Sequence, residues 1–160
     1  MTDRKRLRAV LDTNVSLAAL LSRNPNSPTL ELIVHWRNGE FDLLYSQDTL
    51  AELEEKLIAK RIDPELGDLF IADILGYGLR IEISSADVIP VIKEDPDDDI
   101  ILACAEVGKA THLVTYDSHF DVLSGEYRGI QIVDALSFLY LVRGDVRPEA
   151  QRVQDNSDPG

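Results

Sequence analysis

Acidic residues fall in this sequence where a chain alternating strands with helices would gather them. Asp12 closes the apolar run in VLDTNVS, Asp117 closes another in VTYDSHF, and Asp98 begins a later helix in DPDDDI. Glu52 lies on the helix after the second strand-like run, in SQDTLAELEEKL. Aspartate is a poor strand former and costly to desolvate, so an aspartate directly after a run of core residues needs a compensating partner. In open α/β sheets, ligands bind in the crevice beyond the carboxyl ends of the strands, which is where Asp12 and Asp117 fall. Several carboxylates converging on one pocket repel one another unless divalent cations neutralise them. Hard oxygen ligands select Mg²⁺ or Mn²⁺ over softer metals.

Each residue also has a plainer reading. Asp12, with Thr13 and Asn14, could simply cap a following helix. In the window Glu94 to Asp99 every residue but Pro96 is acidic. A helix N-terminus welcomes one or two such charges, each contributing about 0.3–1 kcal/mol through the helix dipole, and this run exceeds that need. A solvated acidic loop accounts equally well for Asp95 and Asp97. Glu52 is flanked by Glu54 and Glu55, and on pattern alone an exposed helix face is its leading reading. Cys104 is the only cysteine, so an intramolecular disulfide and a multi-cysteine metal site are excluded. Its apolar neighbours from Ile100 to Ala105 make it a buried thiol.

The elements that must position these groups can be traced from periodicity. Leu7 to Leu11 and Phe41 to Tyr45 read as buried strands of a parallel sheet. Between them lies a helix, capped by Ser27 with Pro28 in its first turn and ended at Gly39. A second helix runs from about Asp48 to Arg61, and a third from the Asp63-Pro64 pair to the stop at Gly76 and Gly78. Leu79 to Ile83 is the next strand, followed by a loop to Asp99 and by a helix over Ile100 to Val107 that is apolar on all sides and therefore buried. His112 to Val114 and Gly129 to Val133 are the last strands, and Ala135 to Val142 is the last helix. This alternation predicts a three-layer α/β/α sandwich around a mostly parallel sheet with right-handed crossovers. Residues 1–143 form a single domain on this reading, and 144–160 a polar, flexible tail.

Composition sets limits on function. At 160 residues the chain suits one domain. Its formal net charge of -13 and its sequence pI near 4.5 repel nucleic acid, so a nucleic-acid role requires cations or a local basic patch. Basic help is limited to groups such as Arg4, Lys5, Arg6, Arg23 and Arg37, which read first as ordinary surface charges. With a mean hydropathy of -0.10 and no apolar run near the ~20 residues of a membrane span, no membrane association is expected. The opening MTDRKRLR has no signal-peptide core, and a cytoplasmic location follows as the expectation.

Taken in order and spacing, VLDTNVS, SQDTLAELEEKL, DPDDDIILACAEVGKATHLVTYD and the final strand and helix resemble a PIN domain, closest to the PIN-type toxins of toxin-antitoxin systems. The resemblance spans Leu7 to about Val142. It implies an acidic pocket that cuts single-stranded RNA with Mg²⁺ or Mn²⁺, in which bound cations lower the pKa of a water and stabilise charge on the phosphate oxygens. It also implies a cognate antitoxin as partner and leaves room for a homodimer. The family's acidic positions match Asp12, Glu52, Asp98 and Asp117. Asn14 and Thr115 match its polar supports, with Thr13 and Asp99 beside them. The family often has Asn after its third acid where this chain has Asp99, which leaves the choice between Asp98 and Asp99 open. Two other classes begin with a strand-end aspartate. A haloacid-dehalogenase-type phosphatase usually carries a second aspartate where Asn14 stands, and a receiver domain wants a lysine just after the late strand, where VTYDSHF offers none. An inactive acidic binding module keeps the fold without the chemistry.

Overall fold

The structure, a computed structural model, describes residues 6–145. The first strand, β1 (Arg8–Leu11), runs parallel to β2 (Asp42–Tyr45) on one side. Beyond β2 lies the short β3 (Leu79–Arg80). On the other side of β1 come β4 (His112–Val114) and then β6 (Ile130–Val133), all parallel. A two-residue edge strand, β5 (Glu126–Tyr127), is the one antiparallel member, giving the order β3-β2-β1-β4-β6-β5.

Consecutive strand residues point to opposite faces, and the core divides accordingly. Ala9, Leu43, Tyr45 and Val114 pack on one side of the sheet, while Val10, Leu44 and Leu113 pack on the other. The first side is covered by α1 (Thr13–Leu21), α2 (Pro28–Arg37), α3 (Gln47–Ala59), α4 (Pro64–Tyr77) and α6 (Ala135–Arg143). The second is covered by α5 (Pro96–Val107), with Ile92 and Phe120. This is the expected three-layer sandwich, loaded more heavily on one face. Burial of Ile101 through Ala105 agrees with a helix read as apolar all round. Gly108 follows α5 where there is no room for a side chain: a Cβ there would lie 2.9 Å from the Cys104 carbonyl oxygen and 2.9 Å from a Leu44 methyl carbon.

Several boundaries differ from the expectation. The helix capped by Ser27 is α2, as expected, but a further helix, α1, precedes it, because Asp12 starts it directly and Asn24 to Ser27 turn the chain before Pro28. The strand over 79–83 keeps only Leu79 and Arg80, since β2 ends at Tyr45 and offers one more acceptor, its carbonyl, to Ile81 at 2.7 Å. The helix expected from Ile100 begins at Pro96, where Asp95 caps it by accepting from the Asp97 amide at 3.0 Å. The strand expected over Gly129 to Val133 is β6, but its hairpin partner β5 is not announced by the sequence. Its turn, Arg128-Gly129, has positive φ at both residues, which suits a tight hairpin but is a weak signal when the first residue is arginine.

Arg6 and Arg37 are engaged in ion pairs with Asp42 and Asp73 respectively, as surface charges commonly are, and Arg23 is exposed. Arg4, Lys5 and the tail from residue 146 lie outside the described residues. Among the described residues no helix is long and apolar enough to cross a membrane.

Helix α6 is docked by Phe138, which is fully buried edge-on to Phe41 at 5.1 Å between ring centroids and against His112 at 5.2 Å. Removing so large a ring leaves a cavity, so Phe138→Ala is expected to cost about 3–5 kcal/mol. Urea unfolding with an unchanged slope checks this; a loss under 1 kcal/mol would contradict the packing described.

Candidate active site

The sheet order places a topological switch between β1 and β4. From β1 the chain proceeds outward through β2 to β3; it then returns on the opposite face through α5 and enters β4, from which it proceeds the other way. A crevice opens at the carboxyl ends of strands that diverge in this way. Strand register fixes what lines it. Leu11 lies opposite Val114, Val10 opposite Leu44, and Val114 opposite Val133. One or two residues further along each strand, Ser46, Asp12, Thr115 and Asp134 therefore stand in a row.

Asp12 is buried at 3% exposure. Its Oδ2 accepts a hydrogen bond from the Thr115 hydroxyl at 2.8 Å, and its own amide donates to the Val114 carbonyl at 2.9 Å. It begins α1 but makes no side-chain hydrogen bond that would cap the helix in the usual way, so the plain capping reading does not describe it. Burial pushes its pKa up, opposed by the Thr115 hydroxyl, the Thr13 amide and the Lys56 ammonium, while Glu52 adds to the rise. Thr115 in turn accepts from the Asp117 amide at 2.9 Å, which ties the two late positions to the first strand.

Asp98 occupies the first turn of α5, almost wholly buried, and Asp117, Asp95 and Asp12 all act on its charge. Its pKa is pushed up to about 6, chiefly by burial and then by those like charges, against the stabilising contact of His119. That contact runs from His119 Nδ1 to Asp98 Oδ2 at 3.0 Å. Asp117 accepts from the His119 amide at 2.9 Å, and so also caps a short 3-10 turn, Ser118–Leu123. Glu52 sits one helical turn before Lys56 on α3 and pairs with it at 3.0 Å. The capping box of Ser46 and Thr49 fixes where α3 begins and thereby how Glu52 is presented.

The structure thus brings Asp12, Glu52, Asp98 and Asp117 into one electrostatic neighbourhood. It separates Asp98 from Asp99. Asp99 is equally buried, but its Oδ1 accepts from the backbone amides of Val91 and Ile92 at 2.9 and 2.8 Å, so it clamps the preceding loop. Asn14 is exposed and Thr13 buried. The residues that sequence reasoning missed are Lys56 and His119. Lys56 carried a signal, its four-residue spacing from Glu52 on a helix. His119 had only its place two residues past Asp117.

The donor set suits a divalent ion in kind, hard carboxylate oxygens with two of them on nearly buried residues, but among the described residues only Asp95, Asp98 and His119 bring three ligand atoms together, and Asp12, Glu52 and Asp117 lie outside that group. Asp95, Asp98 and His119 each offer a ligand atom, all within 4.8 Å of one another.

Fold and pocket together define an α/β protein with an acidic site at its switch point, and comparison with known families agrees. The chain belongs to the PIN-domain family, whose match covers residues 8–119. PIN domains are a nuclease family, so membership supports a nuclease. Among solved structures, the chain is similar to VapBC2 from Rickettsia felis, bound to a DNA fragment from their promoter. That match has a TM-score of 0.54 and 19% identity, and covers 79% of this chain and 97% of that one. No match was found among curated proteins.

Two outcomes follow from the adjacent aspartates. Between the ordinary value of 3.8 and about 6, folded protein retains a proton on Asp98 that the unfolded chain has released. From this group, then, stability falls as pH rises through that window. Asp98→Asn is expected to remove that fall, so in EDTA the variant gains on the wild type from pH 4 to pH 6.5, by an amount on the order of 2–3 kcal/mol. Parallel urea midpoints across the range would contradict this. Asp99→Ala is expected instead to destabilise by about 2–3 kcal/mol at neutral pH, since it strips two amides of their acceptor; an unaltered denaturation midpoint would show that the clamp carries no weight.

Proposed function

We propose that the protein is a metal-dependent endoribonuclease that hydrolyses phosphodiester bonds of single-stranded RNA, within a nuclease domain spanning residues 1–143. The observation that carries this reading is the pair of nearly buried aspartates, Asp12 and Asp98, held at the switch point with other acids and raised in pKa by their surroundings. A group of that kind is destabilising when empty, which makes sense where a cation is held against a substrate.

In this reading Asp12, Asp98 and Asp117 hold Mg²⁺ or Mn²⁺, directly or through water. Glu52 is a further ligand or orients the attacking water. Bound ions supply a water of lowered pKa and neutralise charge that builds on the phosphate oxygens. Thr115 keeps Asp12 in register through its hydroxyl, and Thr13 does so through its amide. Asn14, exposed beside them, would contact the substrate phosphate. Asp99 acts from behind the site, by fixing the loop that leads into α5. The cations also account for how a chain of net charge -13 attracts RNA: a loaded pocket presents positive charge locally.

The protein is further proposed to be the toxin of a toxin-antitoxin pair and to act in the cytoplasm. Similarity of fold to VapBC2 supports this, and exposed apolar side chains on α3 and α4 are available to a protein partner, an antitoxin or a second copy. Ile58, Leu69, Leu75 and Tyr77 on α3 and α4 are all more than half exposed.

The test is a cleavage assay on labelled single-stranded RNA with Mg²⁺, Mn²⁺ or EDTA, with Asp12→Asn as control. Cleavage is expected with metal and absent in chelator, and Asp12→Asn is expected to lower it at least ~100-fold while the metal-free protein keeps or gains stability. Were Asp12 only a helix cap, Asn would serve as well and activity would stay intact, which would overturn the assignment.

A further inference from the structure

Among the described residues, one imidazole, that of His119, stands against the acids Asp98 and Asp117. His119 Nδ1 lies 3.0 Å from Asp98 Oδ2 and 3.4 Å from Asp117 Oδ1. Two ligands placed cis about an octahedral ion at roughly 2.1 Å are about 3.0 Å apart, so imidazole and carboxylate already stand at the separation that a shared ion requires. Asp95 completes a set of three ligand atoms lying within 4.8 Å of one another. The side chain of Asp98 is only 5% exposed, and its second oxygen, Oδ1, accepts no hydrogen bond among the described residues. The imidazole is 38% exposed, which leaves an approach from solvent. It is also held in place. The His119 amide is bound by Asp117, and the next residue, Phe120, is buried in the core.

A hydrogen-bonded Asp–His pair would by itself explain the 3.0 Å contact. It does not explain why the pair opens onto further carboxylates and leaves a nearly buried oxygen without a donor, in a region that already carries excess negative charge. Mg²⁺ favours an all-oxygen shell and retains its waters, whereas a nitrogen ligand adds affinity for first-row transition ions, least for Mn²⁺ and more for the later ones.

We propose that His119 is a direct ligand of the pocket ion together with Asp98 and Asp95, and that this nitrogen makes the site select a transition ion such as Mn²⁺ over Mg²⁺. This rests on the metal-dependent reading above but is tested apart from it. The measurement uses the full chain, wild type and His119→Asn, an exchange that replaces the nitrogen donor by an amide oxygen. Mn²⁺ and Mg²⁺ affinities are taken by titration calorimetry, and the Mn²⁺-loaded protein is examined by pulsed electron paramagnetic resonance for coupling to a ligand nitrogen.

Wild-type protein is expected to bind Mn²⁺ more tightly than Mg²⁺ and to show nitrogen coupling. In His119→Asn the coupling vanishes and Mn²⁺ affinity falls roughly tenfold, while Mg²⁺ affinity changes little. Asp95→Asn weakens both ions and keeps the coupling. A wild-type spectrum without nitrogen coupling, or an Mn²⁺ to Mg²⁺ ratio unchanged in His119→Asn, overturns the inference; the wild-type spectrum decides alone if the variant does not fold. RNA cleavage with an all-oxygen Mn²⁺ spectrum would leave the nuclease standing and remove His119 as ligand. Nitrogen coupling without RNA cleavage would do the reverse.

Discussion

A carboxylate buried at the end of a central strand, without a cation against it, costs several kcal/mol unless hydrogen bonds replace its lost water. Asp12 is in that position, and much of the surrounding structure answers to it. Its Oδ2 is satisfied by Thr115 because β1 and β4 pair with Leu11 opposite Val114. A slip of one residue would remove the hydroxyl and turn Ala9 and Val10 to the wrong faces of the sheet. The register that builds the core is therefore the register that places the acid. Thr115 passes the constraint onward through the Asp117 amide, so a residue on the far side of the switch point is located by the same contact.

The hydrogen bonds only partly compensate. Asp12 and Asp98 both remain shifted toward the protonated form, and the groups opposing the shift are few: Thr115, Thr13 and Lys56 at Asp12, and His119 at Asp98. Lys56 is the one ammonium among them. Its salt bridge to Glu52 lies on a surface helix, where an i,i+4 pair contributes little to stability, but its charge also acts on Asp12 and Asp95. It therefore reduces the repulsion of the metal-free pocket without neutralising it, and the site remains a place where an added cation is favoured.

Periodicity and strand-end position carried most of the architecture. The buried helix over Ile100 to Val107 and the parallel strands follow from local pattern, and the strand-end positions of Asp12 and Asp117 from the general rule for open sheets, whereas Glu52 and the preference for Asp98 came only with the family resemblance. What was not legible depends on contacts distant in sequence. Helix α1 follows the first strand with no connecting loop, and its start carries no side-chain cap that would announce it. The hairpin at Arg128-Gly129 lacks the usual asparagine. Asp98 and Asp99 are identical in type and adjacent, and only the loop returning over α5 distinguishes them. His119 gained its role from a 3-10 turn that no periodicity announces.

The segments that carry the proposed ligands Asp95 and His119, the loop before α5 and the 3-10 turn after β4, are each pinned by a nearby apolar residue. Ile92 is buried in the core beneath α5, and its amide is bound by Asp99, which fixes the chain shortly before Asp95. Phe120 is buried in the same core directly after His119. A loop bearing a ligand would otherwise lose rotational and backbone freedom each time it bound an ion, and that loss would weaken the site. Here the ordering is already done on folding, by hydrophobic burial on the face of the sheet that only α5 covers. The sparser of the two helical layers thus has a definite part: it leaves room for two loop segments to reach the sheet, and through them the core itself sets the positions of Asp95, Asp98 and His119.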